Sequence, residues 1–310
     1  MTQIIDDDQE FEFEKRNFDD FQTSVKTFII YLNINIDIET IYKCKIFPVT
    51  PYIVQLKKRG RRKKIQESDP NIDLEDGSVI QVKYKDETYG TSVKTKKKSS
   101  REFFRNATEI YIYIDKKLIN FKVSSKGKLQ MTGCKSIEQA KKCVRCFWKF
   151  LEPHQDMYTF TNDASRFRAY YNPVMRNIGF CLDFKINRDL LDEYVNTQTD
   201  HISIFESTLG YAGVDIKFEV KDDVGLCAQY DIVYEDIINN QIVETSTIKY
   251  DAFIKLMNIR KKKLQYVTFL VFQSGKVIMS GKDSIFMEKL YYEFIEMMKD
   301  AKNTIEEMLV

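Results

Sequence analysis

The amino-acid sequence predicts an α+β fold of two similar units, each an antiparallel sheet covered on one face by a long helix. One observation behind this prediction is a glycine-turn hairpin that occurs twice, with the same order of elements around both copies. The other is that a hairpin strand, Tyr266–Phe272, is apolar on both alternating faces, while the chain offers too little helix to cover both faces of a sheet.

The repeated hairpin is the main sign of an internal duplication. The segment Ser124–Ser136, SSKGKLQMTGCKS, aligns without a gap with Phe272–Ser284, FQSGKVIMSGKDS. An apolar strand precedes and a long helix follows each copy, so the duplicated segment is far larger than the hairpin. The same interval separates the identical pairs, which are Gly127 and Gly275, Lys128 and Lys276, Met131 and Met279, Gly133 and Gly281, and Ser136 and Ser284.

The predicted order in each half is a strand, a short helix, an insertion, a hairpin and a long helix. An acidic stretch rich in aromatic residues precedes the first half and is expected to be a mobile tail. The predicted organisation is a tail over 1–20, a first repeat over 21–155 with a basic insertion over about 57–104, a linker over 156–173, and a second repeat over 174–310 with an insertion over about 221–263.

Composition favours a globular intracellular protein. Hydrophobic residues make up 43% of the 310, which is enough for a sizeable core, and 48 basic residues nearly balance 46 acidic ones. Six cysteines spread over so long a chain are typical of reduced thiols. Neither a long apolar run nor a cleavable signal is present, so a membrane or secreted protein is not expected.

The residues that carry chemistry form no catalytic or metal-binding pattern. Cys143 and Cys146 have a suggestive spacing, but no second pair or ligand histidine accompanies them, so they are interpreted as core or surface thiols. His154 and His201 have no partner that would make either a catalytic base. The sequence therefore predicts neither an enzyme nor a cofactor, metal or small-molecule substrate.

The strand Tyr266–Phe272 leaves two alternatives open for its faces. Val267, Phe269 and Val271 lie on one side, and Thr268, Leu270 and Phe272 on the other. One set must pack under the helix. The other set forms either a second buried layer or an exposed apolar surface that awaits a partner.

At these residues the chain resembles the TATA-binding protein family, whose signature hairpin reads roughly I-F-x-S-G-K-x-x-x-T-G. Val271, Phe272, Ser274, Gly275, Lys276 and Gly281 match it, with Ser280 in place of threonine. Asn177 and Ile178 resemble the Asn-Ile at the start of the family's second repeat, and Phe205–Phe218 is similar to its strand entry. The insertions and the richness in Ile, Lys and Asn resemble the diverged versions of large DNA viruses.

The resemblance implies a saddle of two pseudo-symmetric repeats, with long helices on the convex face and DNA on the concave sheet. It also implies minor-groove binding to A·T-rich DNA, with aromatic wedges that kink the duplex. The implied DNA-binding residues are Phe272 and Tyr211 as wedge and companion, Asn177 as a polar reader, Leu270 and Ile278 as the apolar floor, Ser280 and Thr132 as hydroxyl positions, and Gln130, Lys128 and Lys276 beside them.

The first repeat departs from this pattern. Ser124 stands where the hairpin phenylalanine belongs, and Gln130 and Lys122 replace floor aliphatics. Val25 falls where an asparagine is expected, and Phe103 and Phe104 are candidate wedges only in a shifted register. A serine cannot unstack a base step, so binding is expected either to kink DNA at the second-repeat end or to rely on phosphates.

The resulting expectation is a DNA-binding transcription initiation factor that acts with a transcription factor IIB-like protein and an RNA polymerase. It would act in the nucleus, a cytoplasmic viral factory or the virion. The alternative is a protein-interaction scaffold that keeps the fold and has lost specific DNA binding. The basic clusters Lys57–Lys64, Lys94–Lys98 and Arg260–Lys263 fit either solvated loops or phosphate contacts. The acidic tail is a solubilising segment or a competitor of DNA.

Overall fold

The computed structural model describes residues 17–54, 73–93, 106–161, 166–206, 210, 212–221, 230–260, 265–282 and 284–307. Several residues named above lie outside this part of the chain: the first sixteen residues of the tail, the clusters Lys57–Lys64 and Lys94–Lys98, Lys261–Lys263, Phe103, Phe104 and Tyr211.

The described elements are mostly antiparallel strands with few helices, which confirms the α+β class. The strands are β1 (Thr23–Leu32), β2 (Ile34–Ile36), β3 (Ser78–Tyr84), β4 (Glu87–Gly90), β5 (Ala107–Ile114), β6 (Lys117–Ser124), β7 (Lys128–Cys134), β8 (Tyr158–Phe160), β9 (Phe167–Cys181), β10 (Ile202–Ile204), β11 (Gly213–Glu219), β12 (Asp231–Ile238), β13 (Gln241–Lys249), β14 (Tyr266–Phe272) and β15 (Lys276–Gly281). The helices are α1 (Ile38–Lys43), α2 (Ile137–Leu151), α3 (Arg188–Gln198), α4 (Tyr250–Leu256) and α5 (Ser284–Ile305).

The chain divides into two compact units. The first unit comprises Lys26–Pro173 and Ala228–Asn258, and the second comprises Met1–Val25, Val174–Cys227 and Ile259–Val310. The first unit thus holds most of the predicted first repeat, and the second unit holds most of the predicted second repeat together with residues 21–25. The segment Ala228–Asn258, expected as an insertion of the second repeat, instead belongs to the first unit.

In the first unit, α2 packs on one face of a sheet in which β12, the first half of β9, β1, β7, β6, β5, β3 and β4 follow one another. Side chains of α2 such as Phe147 and Leu151 share a buried core with Phe28, Phe121 and Met131 of the strands. These strand residues alternate with more exposed neighbours, as expected for a sheet that is covered on one face.

In the second unit, β10, β11, β14, β15 and the second half of β9 form the sheet, and α3 and α5 pack on it. The ring of Phe269 stacks on that of Phe294 of α5, with centroids 4.2 Å apart. Leu191 and Val195 of α3 belong to the same core. Both helices therefore cover the face that carries Phe269.

The two units repeat one another in strand register. Met131 of β7 lies between Phe28 and Phe121, and Met279 of β15 lies in the same way between Ile178 and Phe269. The turn glycines also correspond, because the carbonyl oxygens of Gly127 and Gly275 accept bonds from the amides of Leu32 and Leu182, both at 2.8 Å. The duplication read from the hairpins thus extends across each sheet.

Three further predicted segments, an insertion, a linker and a tail, differ from the structure. The insertion over 57–104 contains β3, which pairs with β5 and buries Val79 and Val82, so this strand lies in the core. The linker over 156–173 contains β8 and the first half of β9, where Phe167 stacks on Trp148 at 4.0 Å. The tail over 1–20 ends in a one-turn helix whose Phe18 is buried beside Tyr291. Ser78–Tyr84 has a strand-like pattern in the sequence, but the basic clusters on both sides of it predicted a segment outside the core.

The hairpin of β12 and β13 is anchored to the first unit by two buried carboxylates on opposite sides of β12. Glu235 accepts a bond from Arg145 of α2 at 2.6 Å and from the hydroxyl of Tyr171 at 3.0 Å. Burial, and then the charge of Glu235, raises the pKa of Tyr171, so its hydroxyl remains a donor. Asp236 is held by both Nε and Nη2 of Arg168, at 2.5 and 2.6 Å.

Alanine at either turn glycine should destabilise the protein. Gly127 and Gly275 have φ angles of +62° and +76°, and an added Cβ would lie 2.1 Å from the oxygen of Ile34 and 2.4 Å from that of Phe184. Each change should lower the free energy of unfolding by at least about 1 kcal/mol, measured by urea denaturation. Gly179→Ala is the control, because its nearest contact would be at 4.0 Å. Equal stability of all three variants would contradict the shared turn geometry.

Replacing the carboxylate of Glu235 should loosen the anchored hairpin. Glu235→Gln places an amide among the donors of Arg145, Lys141 and Tyr171. We expect the free energy of unfolding to fall by about 1–3 kcal/mol, measured by thermal or urea denaturation. Glu244→Gln in the exposed β13 should change it by less than about 0.5 kcal/mol. If both variants lost the same free energy of unfolding, the ion pair of Glu235 with Arg145 would not anchor β12.

Candidate nucleic-acid interface

The second unit presents one face of its sheet without helix cover from α3 or α5. In β14, Val267, Phe269 and Val271 are buried under the helices, whereas Leu270 and Phe272 are half-buried on the other face. Of the two alternatives for the second set of side chains, the structure shows the exposed apolar one. This surface is called the second-unit open face and consists of Asn177, Gly179, Ile202, Ile204, Asp215, Lys217, Thr268, Leu270, Phe272, Ile278 and Ser280.

Strand pairing orders these side chains into rows. Leu270 lies opposite Ile278 on one side and Asp215 on the other, and Ile204 lies opposite Asp215. The edge residues Ile202 and Ile204 are 47% and 51% exposed. An apolar strip therefore crosses the sheet from β15 to β10, interrupted by one carboxylate.

Phe272 ends β14 directly before the glycine turn. Its partner in β11 is Gly213, where a Cβ would come within 2.8 Å of the backbone oxygen of Val271. The glycine leaves the flank of the phenylalanine ring free of a neighbouring side chain on that strand. Tyr211, predicted as the companion of Phe272, lies outside the described residues.

Asn177 and Ser280 form the polar row of the same face. The two residues are paired across β9 and β15, next to Thr268 of β14. The side-chain oxygen of Asn177 is shielded and has no hydrogen-bond partner among the described residues. An amide in this position can rotate to present a donor, which suits the N3 and O2 acceptors of A·T pairs.

The first unit presents a polar surface at the corresponding positions. Register places Lys122 where the second unit has Leu270, Gln130 where it has Ile278, and Ser124 where it has Phe272. Thr27, rather than Val25, occupies the position of Asn177, because it lies opposite Thr132 as Asn177 lies opposite Ser280. This first-unit open face consists of Thr27, Tyr31, Glu109, Tyr111, Asn120, Lys122, Lys128, Gln130, Thr132 and Tyr170.

Hydrogen bonds order part of the first-unit open face. The carboxylate of Glu109 accepts bonds from Asn120 Nδ2 at 2.5 Å and from the hydroxyl of Tyr111 at 3.0 Å. Together with Lys122, Gln130 and Thr132, these residues line a shallow pocket. Lys128 lies 5.3 Å above the ring of Tyr31. A single cation or hydroxyl here can contact a phosphate or a base edge, but Lys122, Gln130 and Thr132 lack the apolar bulk of a wedge.

Sequence reasoning missed that the segment 228–258 contributes to this face. Phe253 of α4 is buried against the rings of Tyr31 and Tyr170, at centroid distances of 5.4 and 5.7 Å. The signal available in the sequence was the adjacent apolar pair Phe253 and Ile254, within a mixed segment that also holds Ala252, Leu256 and Met257. Such a pair does not identify the surface on which it packs.

Among the described residues, no cluster of three His, Cys, Asp or Glu side chains could hold a metal ion. None of the helices in the described ranges is both long and apolar enough to cross a membrane. Cys143 is buried and Cys146 half-buried in α2, without a disulfide at either.

No protein-family model matches the chain. It is 25% identical over 209 residues to Uncharacterized protein 335L of Invertebrate iridescent virus 6. The matched region covers 64% of this chain and 62% of that protein. It is 28% identical over 175 residues to a TATA-box-binding protein-like protein of Acanthamoeba polyphaga mimivirus, which covers 48% of each. The chain thus spans less than two thirds of the length of these relatives.

Among solved structures, the Methanococcus jannaschii TBP matches with a TM-score of 0.43 and 13% identity, over 90% of this chain and 98% of that one. The mimiviral relative carries the family's name, and the hairpins β6–β7 and β14–β15 have the same register in the two units of this chain. The resemblance inferred from those hairpins is therefore confirmed as a similarity of this chain to a TATA-box-binding protein-like relative.

Proposed function

We propose that the chain is a transcription initiation factor of the TATA-binding type that binds double-stranded DNA through the second-unit open face. The observation that carries the proposal is the uncovered apolar strip of Leu270 and Ile278, with Phe272 at its end. An apolar strip fits the floor of a minor groove, and a ring at its margin can enter a base step. Unstacking costs a few kcal/mol per step, which the enlarged contact offsets.

The first-unit open face contributes phosphate and polar groove contacts in this proposal. Lys128, Gln130 and Thr132 are exposed there, and Ser124 replaces the wedge. The duplex is therefore kinked at the second unit and held electrostatically at the first. Flexible A·T-rich steps are favoured because they deform at lower cost.

The proposal extends to the partners of the protein and to its place of action. A factor of this type recruits a transcription factor IIB-like protein and an RNA polymerase, and does so without catalysis or a cofactor. Its place of action is the nucleus, a viral factory or the virion. The name of the mimiviral relative supports the TATA-binding type and not the partners or the place of action.

A protein-interaction scaffold is the second candidate, and two carboxylates favour it. Glu109 and Asp215 occupy corresponding positions of the two open faces, opposite Lys122 and Leu270. Negative side chains on the reading face repel DNA phosphates. The minor groove of A·T pairs presents only hydrogen-bond acceptors, and an ionised carboxylate has no proton to donate to them. A protein partner with basic or amide groups would instead pair with them.

Removing the ring of Phe272 distinguishes the two candidates. Phe272→Ala should weaken binding to an A·T-rich duplex by about 1–3 kcal/mol, the usual worth of one base–aromatic stack, or roughly 5- to 150-fold in Kd. Fluorescence anisotropy with A·T-rich and G·C-rich duplexes at fixed salt measures this. The loss should be larger on the A·T-rich duplex.

Leu190→Ala provides a matched control, because Leu190 is a 38% exposed aliphatic residue on α3 of the same unit. It should leave both affinities unchanged. Weak binding that is unselective and insensitive to Phe272→Ala would reject the initiation factor and support the scaffold.

A further inference from the structure

The short helix α4 lies on the first-unit open face. Tyr31 alternates along β1 with the core residues Ile30 and Leu32, so its ring points away from α2. Tyr170 alternates in the same way with Ala169 and Tyr171 of β9. Because Phe253 contacts both rings, α4 covers the face opposite α2.

The contact is tight but small. Phe253 is fully buried and Tyr170 is only 4% exposed, whereas Leu256 on the same helix is 54% exposed. One phenylalanine and Ile254 therefore provide most of the apolar contact that α4 makes with the sheet. A helix of seven residues without a side-chain cap at its start is too short to be stable without such a contact.

The hairpin before α4 keeps the helix close to this face. Glu235 and Asp236 anchor β12, and the amide of Tyr250 at the start of α4 donates to the oxygen of Tyr230 at 3.0 Å. The ring of Tyr250 also stacks on that of Tyr230, with centroids 4.4 Å apart. A tethered segment has a high effective concentration at its own docking surface, even when each contact is weak.

The covered rings adjoin a predicted DNA contact. Tyr31 is paired with Lys128 across β1 and β7, and the lysine ammonium lies over the ring. A duplex that reaches Lys128 and continues over β1 and β9 would meet Phe253. The flat faces of Tyr31 and Tyr170 are the kind of surface on which a sugar or base can pack once it is uncovered.

We propose that α4 is a built-in cap that competes with DNA for Tyr31 and Tyr170. The proposal rests on the proposed function, since it concerns the same DNA. With α4 docked, only the second-unit open face and the exposed part of the first remain available. Release of α4 adds the aromatic surface, and the apparent affinity is set by the fraction of molecules in which the cap is open.

The first test uses Phe253→Ala in the full chain, with Leu256→Ala as the matched control on the same helix. Anisotropy titration with an A·T-rich duplex should show tighter binding by Phe253→Ala, by about threefold or more, and no change for Leu256→Ala. Unchanged or weaker binding by Phe253→Ala would overturn the proposal, provided that the variant keeps the circular dichroism spectrum of the parent.

The second test needs no substitution. Hydrogen exchange of the amides over 250–256 should accelerate when the unaltered chain binds the duplex, while those of β14 do not. Equal or greater protection of α4 in the complex would show a permanent roof and would overturn the cap. If DNA binding is sensitive to Phe272→Ala but not to Phe253→Ala, the cap alone fails. Absence of DNA binding in every variant would remove both proposals.

Discussion

Burial of one sheet face is the constraint on which the rest of the structure depends. Side chains alternate along each strand, so the residues that pack under α2 or α5 leave an opposite set for which the repeat supplies no helix. Phe269 and Leu270 show this division within two adjacent positions, since the first is fully buried and the second is not. The side chains on the uncovered face can therefore change in evolution to suit a binding partner without disturbing the core.

The two units use the same backbone frame with opposite surface chemistry. Strand register and turn geometry agree, yet Leu270 and Ile278 of one unit correspond to Lys122 and Gln130 of the other. Substitutions at these four positions change little of the packing, because their side chains lie on the face opposite α2 or α5. A duplicated fold can thus diverge in what it binds while its core stays alike.

The segment 228–258 shows how an inserted hairpin becomes part of a host sheet. Its two carboxylates are buried and each is satisfied by an arginine, a pairing that is costly to break. The apolar contact of Phe253 is smaller and lies at the end of the anchored hairpin. The buried carboxylates and Phe253 therefore make separate contacts, and the proposed release of α4 would leave the hairpin in place.

The sequence by itself determined the duplication, the α+β class and the alternation of Tyr266–Phe272, because glycine turns and period-two patterns are local properties of the chain. It also identified Leu270, Phe272 and Ile278 as members of one face. Only the tertiary structure placed β3 in the sheet, Thr27 in the position of Asn177, and Phe253 over Tyr31 and Tyr170. These placements depend on which distant strands pair and on where an insertion packs, and such long-range choices leave no periodic signal in the sequence.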